Sequence, residues 1–111
     1  MARDYDGRLW IVTTTFPSRA QALEAARLLV REELVACAQV GEGLVSIYSW
    51  AGALKEEAET ALALKVASDR LEPCLARLTE RHPYQTPQVL AWPAQRVGEA
   101  YGRWACGQEG P

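Results

Sequence analysis

The sequence predicts an α+β fold of order βαββαβ with a short C-terminal helix, arranged as one domain over residues 1–111 with its core at about 8–106. Three patterns predict it. Two segments carry apolar residues at helical spacing, around Ala22 and around Leu75. A long stretch between them alternates as a strand pair does, on either side of Ala51-Gly52. A β-branched run opens the core and another extended run follows the second helical segment.

Leu9-Trp10-Ile11-Val12-Thr13-Thr14-Thr15 is apolar on both faces, as a central strand requires, and it ends at Phe16-Pro17. Ser18 followed by Gln21 is a capping box: the serine oxygen accepts from the third helical N–H while the glutamine returns to the cap. The helix opened there sets Ala22, Ala25, Ala26 and Leu29 on one face, turns Arg19, Glu24, Arg27 and Arg31 elsewhere, and runs to about Glu33. Val35 to Val40 reads as the second strand, Gly41-Glu42-Gly43 as a break or bulge, and Leu44 to Trp50 as its continuation.

After the tight turn at Ala51-Gly52, alternation from Leu54 to Val66 becomes clean at Ala58, giving a long antiparallel hairpin of the second and third strands. Ser68 or Asp69 is placed to cap a second helix, with Leu71, Leu75 and Leu78 inward and Pro73 in its first turn. His82-Pro83-Tyr84-Gln85-Thr86-Pro87 follows as a stiff connector, because two prolines fix φ and bias the residues before them away from the α region. Gln88 to Trp92 forms the fourth strand. Val97, Ala100, Tyr101 and Trp104 suggest the last helix.

That order matches the split βαβ, ferredoxin-like arrangement, in which two right-handed crossovers put both helices on one face of the sheet. A strand of about 15 residues, against the usual 5 or 6, overhangs the domain and leaves edges and apolar side chains to be covered by self-association.

Composition narrows the function. A formal net charge of −2 supplies no electrostatic footprint for nucleic acid or an anionic membrane. Residues 1–8 lack the apolar region of a secretory signal and no stretch approaches roughly 18 apolar residues, so a cytoplasmic location is expected. Cys37, Cys74 and Cys106 cannot all pair within one chain and have no C-x-x-C spacing, which excludes a zinc knuckle. His82 is the single histidine, so an imidazole-rich metal cage would need an oligomer.

Ala36-Cys37, Ser46-Ile47-Tyr48, Trp50-Ala51-Gly52, Lys65 and His82-Pro83-Tyr84-Gln85-Thr86-Pro87, in this order and spacing, resemble the CutA family of divalent-cation tolerance proteins from about Leu9 to Trp104. The resemblance implies a ferredoxin-like homotrimer whose extended hairpins pair between subunits, with a non-enzymatic role in tolerance of copper and other divalent metals. No obligatory cofactor is implied. The expected ligand is Cu(II) or another divalent cation.

Cys37 matches the family cysteine after alanine and His82 the histidine of its His-Pro-Tyr motif, so these two are the candidate metal ligands. Thiolate with imidazole suits copper or zinc. Otherwise Cys37 packs in the sheet and His82 orders the connector. Gln39 stands where asparagine or threonine is common, and Phe16 where some members carry another cysteine; fewer thiols point to weaker copper binding.

Glu57 and Glu59 share one strand face about 6.6 Å apart, either as loose oxygen ligands or as a solvated face neutralised by Lys55 and Lys65. With Tyr48, Trp50, Lys65, Tyr84 and Trp104 they form the set expected at a ligand cleft or trimer interface. The alternative function is a non-enzymatic trimeric scaffold or small-ligand sensor of PII-like architecture. The short turn at Ala51-Gly52 and the absence of a glycine-rich phosphate cradle speak against its nucleotide-binding version.

Overall fold

The computed structural model describes residues 8 to 107 and the strand at 2 to 4. In chain order the elements are β1 (Ala2–Asp4), β2 (Leu9–Phe16), α1 (Arg19–Arg31), β3 (Cys37–Trp50), β4 (Ala53–Ala67), α2 (Leu71–Arg81), β5 (Val89–Pro93), β6 (Arg96–Gly98) and α3 (Glu99–Ala105). Four strands make one antiparallel sheet in the order β3-β4-β2-β5. The pairing of β1 with β6 forms a separate two-stranded ribbon.

β2 is central because it can bury both faces. Val12, Thr14 and Phe16 are buried, while Ile11 and Thr13 on alternate positions are half-buried. In β4 the even positions Leu62, Leu64 and Val66 are fully buried and join Val12, Phe16, Ala22, Leu29, Cys74 and Leu78 in one core beneath α1 and α2. Each such leucine contributes about 1.5–3 kcal/mol by leaving water. Alanines at 22, 25 and 26 give α1 a flat face that closes on the sheet. On the opposite side of the sheet, α3 packs at one end through Leu9, Val97 and Ala105.

The α1 start follows the sequence pattern with one change. Ser18 is the cap, its Oγ accepting from the Gln21 N–H at 3.2 Å; the Gln21 side chain then accepts from that hydroxyl at 2.9 Å instead of returning to the cap backbone. The helix ends at Arg31, two residues before the expected Glu33, because Glu33 itself turns left-handed at φ 60. Its N–H reaches the Val30 carbonyl and the Leu34 N–H the Leu29 carbonyl, which satisfies two orphaned acceptors.

β3 and β4 form the long hairpin, with the register shift between Val40 and Gly43 where the glycines predict a bulge. Trp50 pairs with Ala53 across a two-residue loop whose members, Ala51 at φ 51 and Gly52 at φ 79, both adopt the left-handed conformation that matches strand twist. The chain is elongated, 47 × 25 × 24 Å, because the hairpin tip projects past the helices. Val45, Ile47, Trp50 and Leu54 are consequently exposed, Leu54 at 72%.

Two local expectations are revised. Neither Ser68 nor Asp69 caps α2 by a side-chain hydrogen bond; a 3₁₀ turn, Ser68–Arg70, leads directly into it. Val97 is not helical but sits in β6, where the pairing with β1 sets its conformation. Pro73 does lie in the first turn of α2, where proline is tolerated.

Candidate functional site

A cleft of about 710 Å³ opens where the hairpin passes the connector between α2 and β5. β4 contributes Glu57 and Glu59, β3 contributes Ser46, Tyr48 and Trp50, β2 contributes Thr15, and the connector contributes Tyr84. The two-residue loop fixes the register that places Ser46 opposite Glu57, one diagonal from Glu59. Glu59 is 9% exposed at the floor.

Its carboxylate accepts from three hydroxyls on three segments: Ser46 at 2.5 Å, Tyr84 at 2.7 Å and Thr15 at 3.1 Å. Burial pushes the pKa up, but those three bonds and the nearby His82 outweigh it, and the net shift is downward. The acid stays ionised. Burial raises the pKa of Tyr84 and the carboxylate reinforces the rise, so this phenol remains a donor. Tyr48 repeats the arrangement at the rim, donating to Glu57 at 2.8 Å.

His82 lies behind that carboxylate, 7% exposed. One ring nitrogen, Nε2, is 2.8 Å from the Thr15 carbonyl and 3.2 Å from the Thr14 hydroxyl; the other, Nδ1, accepts the Tyr84 backbone N–H at 3.1 Å. Phe16 stacks on the ring at a centroid distance of 4.4 Å and Tyr84 leans on it at 5.1 Å. Burial lowers the imidazole pKa, against the opposing pull of the Thr15 bond and of Glu59.

Cys37 stands at the start of β3, half-buried beside Lys65 across the strand pair, on the sheet side opposite α1 and α2. Tyr101 of α3 is its neighbour; burial raises the Tyr101 pKa and Cys37 reinforces the rise. Lys65 reaches the Gln39 side chain. Thus, among the described residues, Cys37 neighbours Tyr101 and stands opposite Lys65 in the strand register, whereas His82 meets Thr14, Thr15, Phe16 and Tyr84, and none of these is common to both. Lys65 and Trp104 are not among the residues lining the cleft; Trp104 borders a separate cavity of about 340 Å³ with Cys106 and Arg70. Among the described residues, no three His, Cys, Asp or Glu side chains converge as a metal-holding group. Burial pushes the Cys74 thiol up to about 11, which makes it an inert core residue.

Sequence reasoning found Glu57, Glu59, Tyr48, Trp50 and Tyr84 but missed Thr15 and Ser46. A signal for Ser46 exists: counting back equally from the turn at Ala51-Gly52 pairs it with Glu57. Thr15 had none, since its role depends on how β2 meets β4.

Comparison with known proteins agrees with this architecture. A family model described as CutA1 divalent ion tolerance protein matches residues 10–108. The divalent-cation tolerance protein CutA of Yersinia pestis (strain Pestoides F) is 34% identical over 94 residues, covering 85% of this chain and 79% of that protein. The chloroplastic CutA protein of Arabidopsis thaliana is 31% identical over the same length, 85% of this chain, which spans about half, 52%, of that relative. The structure of the divalent cation tolerance protein (Cut A1) from Thermus thermophilus superimposes with a TM-score of 0.85 at 32% identity, covering 92% of this chain and 99% of that one. The chain, whose described residues form a four-stranded antiparallel sheet and three helices, belongs to the CutA1 divalent ion tolerance family.

Proposed function

We propose that the chain is a ferredoxin-like subunit of a cytoplasmic homotrimer that serves divalent-cation tolerance by binding copper or a similar ion directly, without enzymatic chemistry. Family membership supports the tolerance role. Self-association is supported by the exposed apolar residues of the hairpin, Val45, Ile47, Trp50 and Leu54, and by Leu90 and Trp92 on β5.

The single observation that carries direct binding is Cys37, a free thiol half-buried on the sheet side opposite the two core helices. A thiolate is a soft donor that favours copper or zinc over magnesium or calcium. His82 is the second candidate donor from the sequence. Metal analysis of the purified protein together with its solution mass tests the reading. A mass of three chains and a copper affinity at least about tenfold weaker in Cys37→Ser support it. A monomer, or affinity unchanged by that substitution, counts against it.

The cleft favours a second reading, a trimeric scaffold or small-ligand sensor with PII-like architecture, in which Tyr48, Trp50, Glu57, Glu59 and Tyr84 meet a small molecule. Titration with ATP that gives neither heat nor a thermal shift removes the nucleotide version.

A further inference from the structure

We infer that His82 is a positioning residue, held in one tautomer with both ring nitrogens occupied, which fixes Tyr84 over the Glu59 carboxylate and leaves no lone pair for a metal ion. This rests on the reading of Cys37 as the metal donor and narrows it to thiolate chemistry without imidazole.

The assignment of the protons is forced by the partners. A carbonyl only accepts, so the 2.8 Å contact with the Thr15 oxygen requires a proton on Nε2. A backbone amide only donates, so the 3.1 Å contact with Tyr84 requires Nδ1 to be bare, its lone pair already engaged. Thr14 Oγ1 at 3.2 Å is then a second, longer acceptor for the same Nε2–H. A metal ion at Nδ1 would displace the Tyr84 amide. At Nε2 it would displace the proton that satisfies the Thr15 carbonyl, and both sites belong to a buried residue whose ring is stacked on Phe16.

What the imidazole does instead follows from a closed circuit. Thr15 and Tyr84 each give one group to His82 and one to Glu59: the Thr15 carbonyl and the Tyr84 amide go to the ring, and their hydroxyls go to the carboxylate at 3.1 and 2.7 Å. The ring thereby ties the connector to β2, and that tie aims the phenol. Proline at 83 stiffens the short span between imidazole and phenol. Bridging residues of this kind act through their neighbours, as the hydrogen-bonding partners that orient ligands do.

Because His82 is the only histidine, ring ¹⁵N signals of histidine-labelled protein report on it alone. The expected spectrum is that of the Nε2–H tautomer, with both shifts unchanged when Zn(II) is added to saturation. Tyr84 amide exchange should accelerate in His82→Ala and slow again in His82→Asn, whose side-chain oxygen replaces Nδ1 as acceptor. Zinc affinity should stay within about twofold in His82→Asn while Cys37→Ser weakens it at least about tenfold. An Nδ1–H tautomer, a ring shift on zinc addition, or equal losses in the two variants overturns the inference. Wild-type protein that takes up no zinc sinks the Cys37 reading, while the tautomer and the exchange rates still decide the role of His82. Should His82→Ala fail to fold, the wild-type spectrum and His82→Asn decide it alone.

Discussion

The Tyr84 hydroxyl donates a 2.7 Å hydrogen bond to the Glu59 carboxylate, joining the connector to a strand 25 positions earlier. Glu59 keeps two further donors, Ser46 and Thr15, so Tyr84→Phe leaves the charge partly satisfied without opening a large cavity. The expected loss is about 1.5–3 kcal/mol, the range for a hydrogen bond to a charged group. Urea unfolding checks it: the midpoint should fall with the slope unchanged. A midpoint equal to that of the wild type would mean that the bond contributes nothing.

Acid should weaken the fold in two stages, because both buried groups of this circuit bind protons less readily in the folded chain. His82 is held below its ordinary 6.5 by burial, so the stability it confers is complete above that value and declines as the pH drops under 6.5. Glu59 is held below its ordinary 4.5 despite burial, by the Ser46, Tyr84 and Thr15 bonds, and its share is lost only under 4.5 as the pH falls through the folded value. Unfolding from about pH 8 to about pH 4, at fixed protein concentration, should show the first decline in the wild type and not in His82→Asn. A flat profile between about pH 7.5 and pH 5 contradicts the assignment.

Those groups also mark where sequence reasoning reached and where it stopped. Local chemistry was legible: Ser18 with Gln21, the glycines around Glu42, the turn at Ala51-Gly52 and the place of Pro73 each act within a few residues of themselves. Long-range chemistry was not. Nothing near His82 announces a carbonyl 67 positions away, so the sequence left the residue either as a metal ligand or as a residue that orders the connector; its ring nitrogens face Thr15 and the Tyr84 amide. The β1 and β6 ribbon escaped for another reason: three-residue strands are too short to show a period. Alternation did put Glu57 and Glu59 on one face, but only the register shows that Ser46 and Thr15 meet Glu59 there.

Glu33 carries a side chain at a helix end where glycine is usual, with φ at 60 and both Schellman-type bonds in place. A left-handed conformation costs an L-residue about 1–2 kcal/mol, and the extra freedom of glycine in the unfolded chain offsets part of that. Glu33→Gly should therefore stabilise by about 0.5–1 kcal/mol, seen as a higher urea midpoint. A lower midpoint would show that the Glu33 side chain contributes more than its backbone strain removes.

Trp50 precedes the hairpin turn and is 58% exposed in the single chain, so truncating it should barely change the packing within that chain. In the proposed trimer the same indole leaves water, and its removal carries the penalty of a buried aromatic, about 3–5 kcal/mol per site. Trp50→Ala is thus expected to lower the solution mass at dilute concentration and to make thermal unfolding depend more steeply on concentration, with the β-sheet signal of the folded chain retained. Light scattering over a dilution series separates the two situations. If the variant keeps the mass and heat resistance of the wild type at every dilution, Trp50 is not an anchor of the assembly and the exposed Val45, Ile47 and Leu54 become the residues to truncate next.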